Sequence, residues 1–172
     1  LKNKKYSLID MVVVNLYPFE KTIAKKTCSF SLAIENIDIG GPTLLRASAK
    51  NHQRVTVLTD PLDYDQVLDE IENKGNIQPK TRLRLATKVY SLVSKYDSLI
   101  ASYLNKFTEK NNGLMDENIS IDAKELSKLR YGENPHQKAK LYEITNPHLT
   151  KFEYTQLSGK ALSFNNLVDT ES

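Results

Sequence analysis

The sequence predicts an α/β protein: a unit built on parallel strands, followed by the start of a second α/β unit. Three features predict it. Leu8-Ile9-Asp10-Met11-Val12-Val13-Val14-Asn15 is a short apolar run without clean polar alternation, the pattern of a parallel strand covered on both faces. A second strand pattern, Arg54-Val55-Thr56-Val57-Leu58-Thr59, follows after helix signals. Asn111 to Ser120 is a polar linker opening on Asn-Asn-Gly, and beyond it the chain becomes charged and turn-rich. A domain boundary is therefore expected near residue 122, with residues 1–122 in one domain and 123–172 opening the next.

In chain order, Pro18 ends the first ladder, which leaves Asn15 and Tyr17 at the carboxyl end of a parallel strand, where open α/β sheets place ligands. Ser29 is suited to cap a short helix from Phe30 to about Ile37. Asp38-Ile39-Gly40-Gly41-Pro42-Thr43 reads as a glycine turn, with Pro42 in the first position of a helix running to about Lys50. Leu45 and Ala49 give this helix an apolar pair, and Thr43, Arg46 and Lys50 form a polar stripe. Asp60-Pro61 starts an amphipathic helix, Leu62 to Lys74, stopped by Gly75.

The longest helix is expected from Lys80 to about Phe107, with Leu85, Val89, Leu92, Val93, Tyr96, Ile100, Tyr103 and Phe107 on one apolar stripe; its tyrosines read as core packing. Past the linker, Leu129 to Gln137 is turn-rich and Phe152 to Leu157 alternates like a strand. Ser158-Gly159-Lys160 turns the chain, and a helix start follows Leu162. No internal repeat is present.

Composition narrows the function classes. The 172 residues suffice for one domain or parts of two, and 40% hydrophobic with 26% charged residues is globular rather than disordered. The net charge of +3, from 24 basic and 21 acidic residues, is small and scattered, which argues against nucleic acid. A phosphorylated small molecule needs only one or two local charges. The single cysteine, Cys28, allows no intrachain disulfide, suits a reducing cytosol and has no histidine nearby, so it reads as a bystander. The longest apolar stretch, Met11 to Val14, is far below the ~20 residues of a membrane span. No export signal opens the chain, which begins without Met and stops after a helix start; both ends read as cut. Three dispersed histidines and one cysteine argue against a zinc site. His52 reads as a helix C-terminal cation, His136 as a loop anchor, and His148 has no evident role.

Asp38 to Lys50 is the segment richest in chemistry. A carboxylate stands before a helix N-terminus, which attracts anions, and Thr43, Arg46 and Lys50 follow on one stripe. A solvated Arg/Lys face is the default reading of such a stripe. Against it, Lys beside a carboxylate can donate a proton or clamp a developing charge, and Asn15 and Tyr17 on the neighbouring strand end add hydrogen-bonding groups.

Four segments together resemble one family, in order and in spacing: Val14-Asn15-Leu16-Tyr17-Pro18-Phe19-Glu20, Ile37 to His52, Leu129-Arg130-Tyr131-Gly132-Glu133-Asn134-Pro135-His136-Gln137, and Leu162-Ser163-Phe164-Asn165-Asn166-Leu167. The chain resembles the bifunctional phosphoribosylaminoimidazolecarboxamide (AICAR) formyltransferase/IMP cyclohydrolase. The resemblance implies that residues 1–122 are the C-terminal part of a cyclohydrolase domain, Rossmann-like and similar to the methylglyoxal-synthase fold. Residues 123–172 would then begin a formyltransferase domain similar to cytidine deaminase. It implies Lys50, Asp38 and Tyr17 as catalytic residues: Lys50 stabilising an oxyanion, Asp38 positioning or deprotonating an amide, and Tyr17 hydrogen-bonding the reacting group. Asn15 and Thr43 support them, while Arg130, Tyr131 and Asn166 bind the transferase substrate. The implied partners are AICAR, formyl-AICAR, IMP and the cosubstrate 10-formyltetrahydrofolate, in a cytosolic homodimer without a catalytic metal.

The family's upstream phosphate-holding segments are absent, and no Lys-His dipeptide of the kind that carries formyl transfer occurs. The chain alone is therefore expected to lack transferase activity and full cyclohydrolase activity. Two other readings stay open from the sequence: a nucleotide-sensing regulatory module of methylglyoxal-synthase-like fold, and an interaction protein using the Lys80–Phe107 helix as its dimer face.

Overall fold

A computed structural model describes residues 7–108, 121, 123–144 and 154–171. The chain divides into two compact units, residues 1–114 and 115–172.

In the first unit, β1 (Met11–Val13) and β2 (Thr56–Leu58) pair in parallel, Met11 opposite Thr56 and Val13 opposite Leu58. The crossover between them holds α1 (Phe19–Ile23), α2 (Phe30–Glu35) and α3 (Gly40–Lys50). After β2 come a 3-10 turn (Pro61–Asp63), α4 (Tyr64–Lys74) and the long α5 (Pro79–Asn105). The arrangement is a parallel pair of strands with packed helices, as the strand patterns predict.

The core follows from the apolar stripes. Leu45 and Ala49 of α3 meet Val57 of β2 and Ala86, Val89 and Val93 of α5. A second cluster joins Leu58, Val67, Ile77 and Leu85. A third joins Phe19, Ala33 and Tyr96, with Phe19 edge-on to Tyr96 and Tyr103 at centroid distances of 6.2 and 5.7 Å. The tyrosines of α5 nearest the core, Tyr96 and Tyr103, thus pack as expected, while Phe107 stays exposed.

Several expectations need correction. β2 is buried throughout, but Met11 and Val13 remain 37% and 49% exposed, so β1 is not covered on both faces. α3 and α5 pack over β2, whereas Met11 and Val13 of β1 stay partly open to solvent. α3 starts at Gly40 rather than Pro42, because the Asp38 carboxylate accepts the Gly41 N–H at 2.7 Å and so caps an additional part-turn. Pro42 is tolerated at the third helical position, where the missing N–H has no intrahelical partner to lose. Of the described glycines, only Gly75 and Gly159 take left-handed backbone, φ 67° and 94°; Gly40 and Gly41 do not make the turn expected of them.

Local signals otherwise behave as read. The Ser29 hydroxyl accepts the Leu32 N–H at 3.2 Å, and Gly75 closes α4. Asp60 accepts the Leu62 N–H at 3.0 Å. The Lys88 ammonium then bridges Asp60 and Asp63, each at 2.6 Å, while Arg84 holds Asp63 at 2.8 Å, which ties the 3-10 turn to α5.

In the second unit, β3 (Ala123–Leu129) and β4 (Ala139–Ile144) form an antiparallel pair, Leu129 opposite Ala139, with an irregularity between Glu125 and Ser127. α6 (Phe164–Glu171) follows. The strand expected at Phe152–Leu157 is absent over its described part, 154–157. The Gln156 amide instead donates to the carbonyls of Ser158 and Lys160 at 3.2 and 2.8 Å, folding the segment onto its own turn. The linker at 111–120 and His148 lie outside the described residues.

Candidate functional site

The first cluster sits at the carboxyl end of β1. One Asp38 oxygen accepts the Gly41 N–H at 2.7 Å and the other accepts the Tyr17 N–H at 3.3 Å. The Asp38 N–H donates to the Tyr96 hydroxyl at 2.8 Å. One residue thereby fastens the loop after β1, the first turn of α3 and the middle of α5. The carboxylate also fills the N-terminus of α3, so the anion this dipole holds is the chain's own. Burial pushes the Tyr96 phenol up from its usual range, and the donated Asp38 N–H opposes that only in part.

Gly41 is required by space. A Cβ there would lie 2.5 Å from an Asp38 oxygen and 2.7 Å from Leu16 Cδ2, whereas one on Gly40 would meet nothing within 4 Å. Tyr17 remains 58% exposed. Asn15 is exposed on the same strand end, and the Thr43 hydroxyl is spent on the Ile39 carbonyl at 2.8 Å.

Lys50 lies elsewhere. It is exposed in the last turn of the 11-residue α3, which puts about 15 Å of helix between it and the turn held by Asp38. The described residues therefore join Tyr17 and Asp38 at one end of α3, with Asn15 two residues before Tyr17 in the chain, and leave Lys50 at the other. His52 beside it turns Nδ1 to the Ala49 carbonyl at 3.0 Å, as a helix-end group would. The Thr59 hydroxyl, one residue past β2, is buried with no hydrogen-bond partner among the described residues.

The second cluster unites the two recognisable segments of the second unit. The Arg130 N–H donates to the Leu162 carbonyl at 2.8 Å, and the Phe164 N–H to the Tyr131 carbonyl at 3.1 Å. The Arg130 guanidinium lies 4.9 Å from the Tyr131 ring centroid and donates to its hydroxyl at 3.3 Å. The neighbouring Ser163 hydroxyl and then Arg130 hold the Tyr131 phenol below its usual range. Fully buried Ser163 and exposed Asn166 form a reciprocal cap at the start of α6. The Ser163 N–H and hydroxyl both reach Asn166 Oδ1, at 3.1 and 2.9 Å, and the Asn166 N–H points back to Ser163 Oγ at 3.4 Å.

The family resemblance named Arg130, Tyr131 and Asn166, which the structure brings to this joint, but not Ser163, although Ser-x-x-Asn ahead of a helix is a legible capping pattern. Sequence reasoning also missed Tyr96 as a partner of Asp38, because a tyrosine on an apolar stripe signals only core. Among the described residues no group of His, Cys, Asp and Glu is placed to hold a metal ion, and no helix is long and apolar enough to cross a membrane.

The family described as AICARFT/IMPCHase bienzyme matches residues 48–172. The "Bifunctional purine biosynthesis protein PurH" of Caldicellulosiruptor saccharolyticus is 47% identical over 175 aligned residues, covering 100% of this chain and 34% of that protein. The protein of the same description from Halalkalibacterium halodurans is 48% identical, covering 95% and 32%. A solved structure described as "Crystal structure of ForH" aligns at a TM-score of 0.49 and 34% identity, over 56% of this chain and 50% of that one. The chain thus spans about a third of the length of the curated relatives it matches. With the family match running from α3 to the last residue, and near-half identity carried back through the Tyr17–Asp38 corner, the chain belongs to the AICARFT/IMPCHase bienzyme family.

Proposed function

We propose that this chain works within an enzyme of de novo purine biosynthesis that transfers a formyl group from 10-formyltetrahydrofolate to AICAR and closes formyl-AICAR to IMP. The observation that carries the reading is near-half identity, over the whole chain, to relatives described as bifunctional purine biosynthesis proteins. Residues 1–122 belong to the cyclohydrolase domain, of Rossmann-like, methylglyoxal-synthase-like fold. Residues 123–172 open the formyltransferase domain, of cytidine-deaminase-like fold. The protein acts as a cytosolic homodimer, without nucleic acid, membrane or catalytic metal.

In ring closure the carboxamide nitrogen attacks the formyl carbon, a C–N bond forms, and the formyl oxygen leaves as water with protons taken from nitrogen. Such a step needs held geometry, proton movement and charge stabilisation. Tyr17 and Asp38 supply a hydroxyl and a fixed carboxylate at a strand end, with Asn15 beside them. Thr43 lines the same helix. Lys50 is assigned to the oxyanion by family match alone, since the length of α3 sets it apart from Asp38. Arg130, Tyr131 and Asn166 hold the nucleotide in the transferase step, where a guanidinium suits a phosphate.

IMP formation from formyl-AICAR by the full-length family protein carrying this sequence, followed by ultraviolet absorbance, tests the reading. Asp38→Ala and Lys50→Ala are expected to lose most of the rate while folded. An unaffected Lys50→Ala removes Lys50 from the site and leaves the corner standing. No IMP from folded wild type would favour a nucleotide-sensing module.

A further inference from the structure

Asn166 stands on the wall of an open cavity of about 520 Å³ beside α6, together with Gln156, Lys160 and Leu162. An asparagine amide can face a ligand with its carbonyl or with its NH2, and which end it offers decides what it reads. Here the choice is forced. The Ser163 backbone N–H can only donate, so the Asn166 atom 3.1 Å away must be the oxygen. The Ser163 hydroxyl adds a second bond to the same oxygen, from a residue with no solvent exposure. Ser163 is itself held between two inter-segment bonds, Arg130 to Leu162 and Phe164 to Tyr131. No bond is shown for the Asn166 NH2 among the described residues.

We propose that Ser163 is a positioning residue that locks the Asn166 amide with its oxygen inward, so that the NH2 group reads a hydrogen-bond acceptor of the bound nucleotide. The inference rests on the transferase reading above and deepens it: this position selects an acceptor atom and rejects a donor. Ser163 acts through Asn166 and does not touch substrate. The same residue splices the Arg130–Tyr131 loop to α6, so the three substrate groups share one rigid joint.

The test uses AICAR kinetics of formyl transfer by the full-length protein. Asn166→Asp keeps an oxygen for Ser163 and places a carboxylate at a helix N-terminus, so the melting temperature holds or rises. Its NH2 becomes an acceptor, so KM for AICAR rises at least roughly tenfold. Ser163→Ala removes the hydroxyl bond and keeps the backbone one, so it loosens the amide and raises KM roughly threefold with kcat nearly unchanged, and Ser163→Thr, which keeps the hydroxyl, restores it. Wild-type KM in folded Asn166→Asp or Ser163→Ala overturns the proposal. If Ser163→Ala does not fold, Asn166→Asp alone decides. A wild-type protein that does not use AICAR sinks the transferase reading and the substrate half of the proposal with it. The lock is then read separately from 15N relaxation of the Asn166 NH2 in this chain. Rigid in wild type and Ser163→Thr but loose in Ser163→Ala upholds it; no difference overturns it.

Discussion

The two adjacent glycines at the start of α3 should respond to alanine with opposite signs. Alanine in a helix is favoured over glycine by about 1 kcal/mol in the interior and less at an end. At Gly40 nothing lies within 4 Å of an added Cβ, so Gly40→Ala should be neutral or stabilise by up to about 1 kcal/mol. At Gly41 the same atom lands 2.5 Å from an Asp38 oxygen and 2.7 Å from Leu16 Cδ2. Overpacking of this kind costs about 1–3 kcal/mol. Moving the carboxylate away also forfeits at least the Tyr17 N–H bond, and hydrogen bonds to charged groups contribute about 1.5–3 kcal/mol. After subtracting the propensity gain, Gly41→Ala should lose about 2–5 kcal/mol. In a unit near 100 residues that is a fall of about 10 °C or more in Tm. Urea unfolding of the two variants beside wild type measures both signs at once. Equal effects, or a stabilised Gly41→Ala, would refute the claim that Gly41 exists to let Asp38 and Leu16 approach the helix.

Three further outcomes follow from described contacts. Tyr96→Phe should lose about 1–2 kcal/mol by leaving the Asp38 N–H without its acceptor, measured by urea unfolding. Because the folded phenol of Tyr96 is raised, its contribution is complete below the ordinary value near ~10 and lost as pH rises through the folded one, so the alkaline limb should be shallower in Tyr96→Phe. Burial pushes the Asp63 carboxyl up, but Lys88 and Arg84 outweigh it, and the Lys88 bond holds Asp60 low as well. The stability of this network is therefore complete above the ordinary carboxylate value of ~3.9 and lost as pH falls through the lowered folded values. Lys88→Met should flatten that acid loss and cost about 2–3 kcal/mol at neutral pH, less than a fully buried pair because Lys88 reaches solvent; an unchanged acid-unfolding curve would count against the network. Thr59→Val should keep or raise Tm, since it removes a buried hydroxyl that has no partner; a clear fall would reveal a partner beyond the described residues.

α2 and α4 were legible because they carry their own punctuation, Ser29 before α2, Asp60-Pro61 before α4 and Gly75 after it, whereas the five-residue α1, with no side-chain cap, was missed. The apolar stripes of α3 and α5 also named most of the core, from Leu45 and Ala49 to Val89 and Val93. β3 and β4 escaped because Lys124, Glu125, Lys128, Lys140 and Glu143 interrupt any apolar alternation, and only their mutual pairing defines them. The described part of the next segment, 154–157, erred the other way: alternation is a sign of a strand only where a neighbour completes the ladder, and Gln156 spends its bonds on its own turn. For the candidate site, residue types announced Tyr17 and Asp38, and Arg130 and Asn166 came only from the family resemblance; distance along α3 separates Lys50 from Asp38, and no local pattern reveals that an interior tyrosine 58 residues away completes the corner.

That last contact also bears on the order of assembly. Asp38 bonds to Gly41 three residues away, to Tyr17 at a separation of 21 and to Tyr96 at 58. Contacts of long sequence separation form late, after their loop-closure entropy has been met. A nascent chain can thus wind α3 and seat its Asp38 cap long before α5 is available, and the corner closes only when Tyr96 docks. Hydrogen exchange at the Asp38 amide then reports α5 docking rather than helix formation, and separates a helical intermediate from a site-competent one within the same chain.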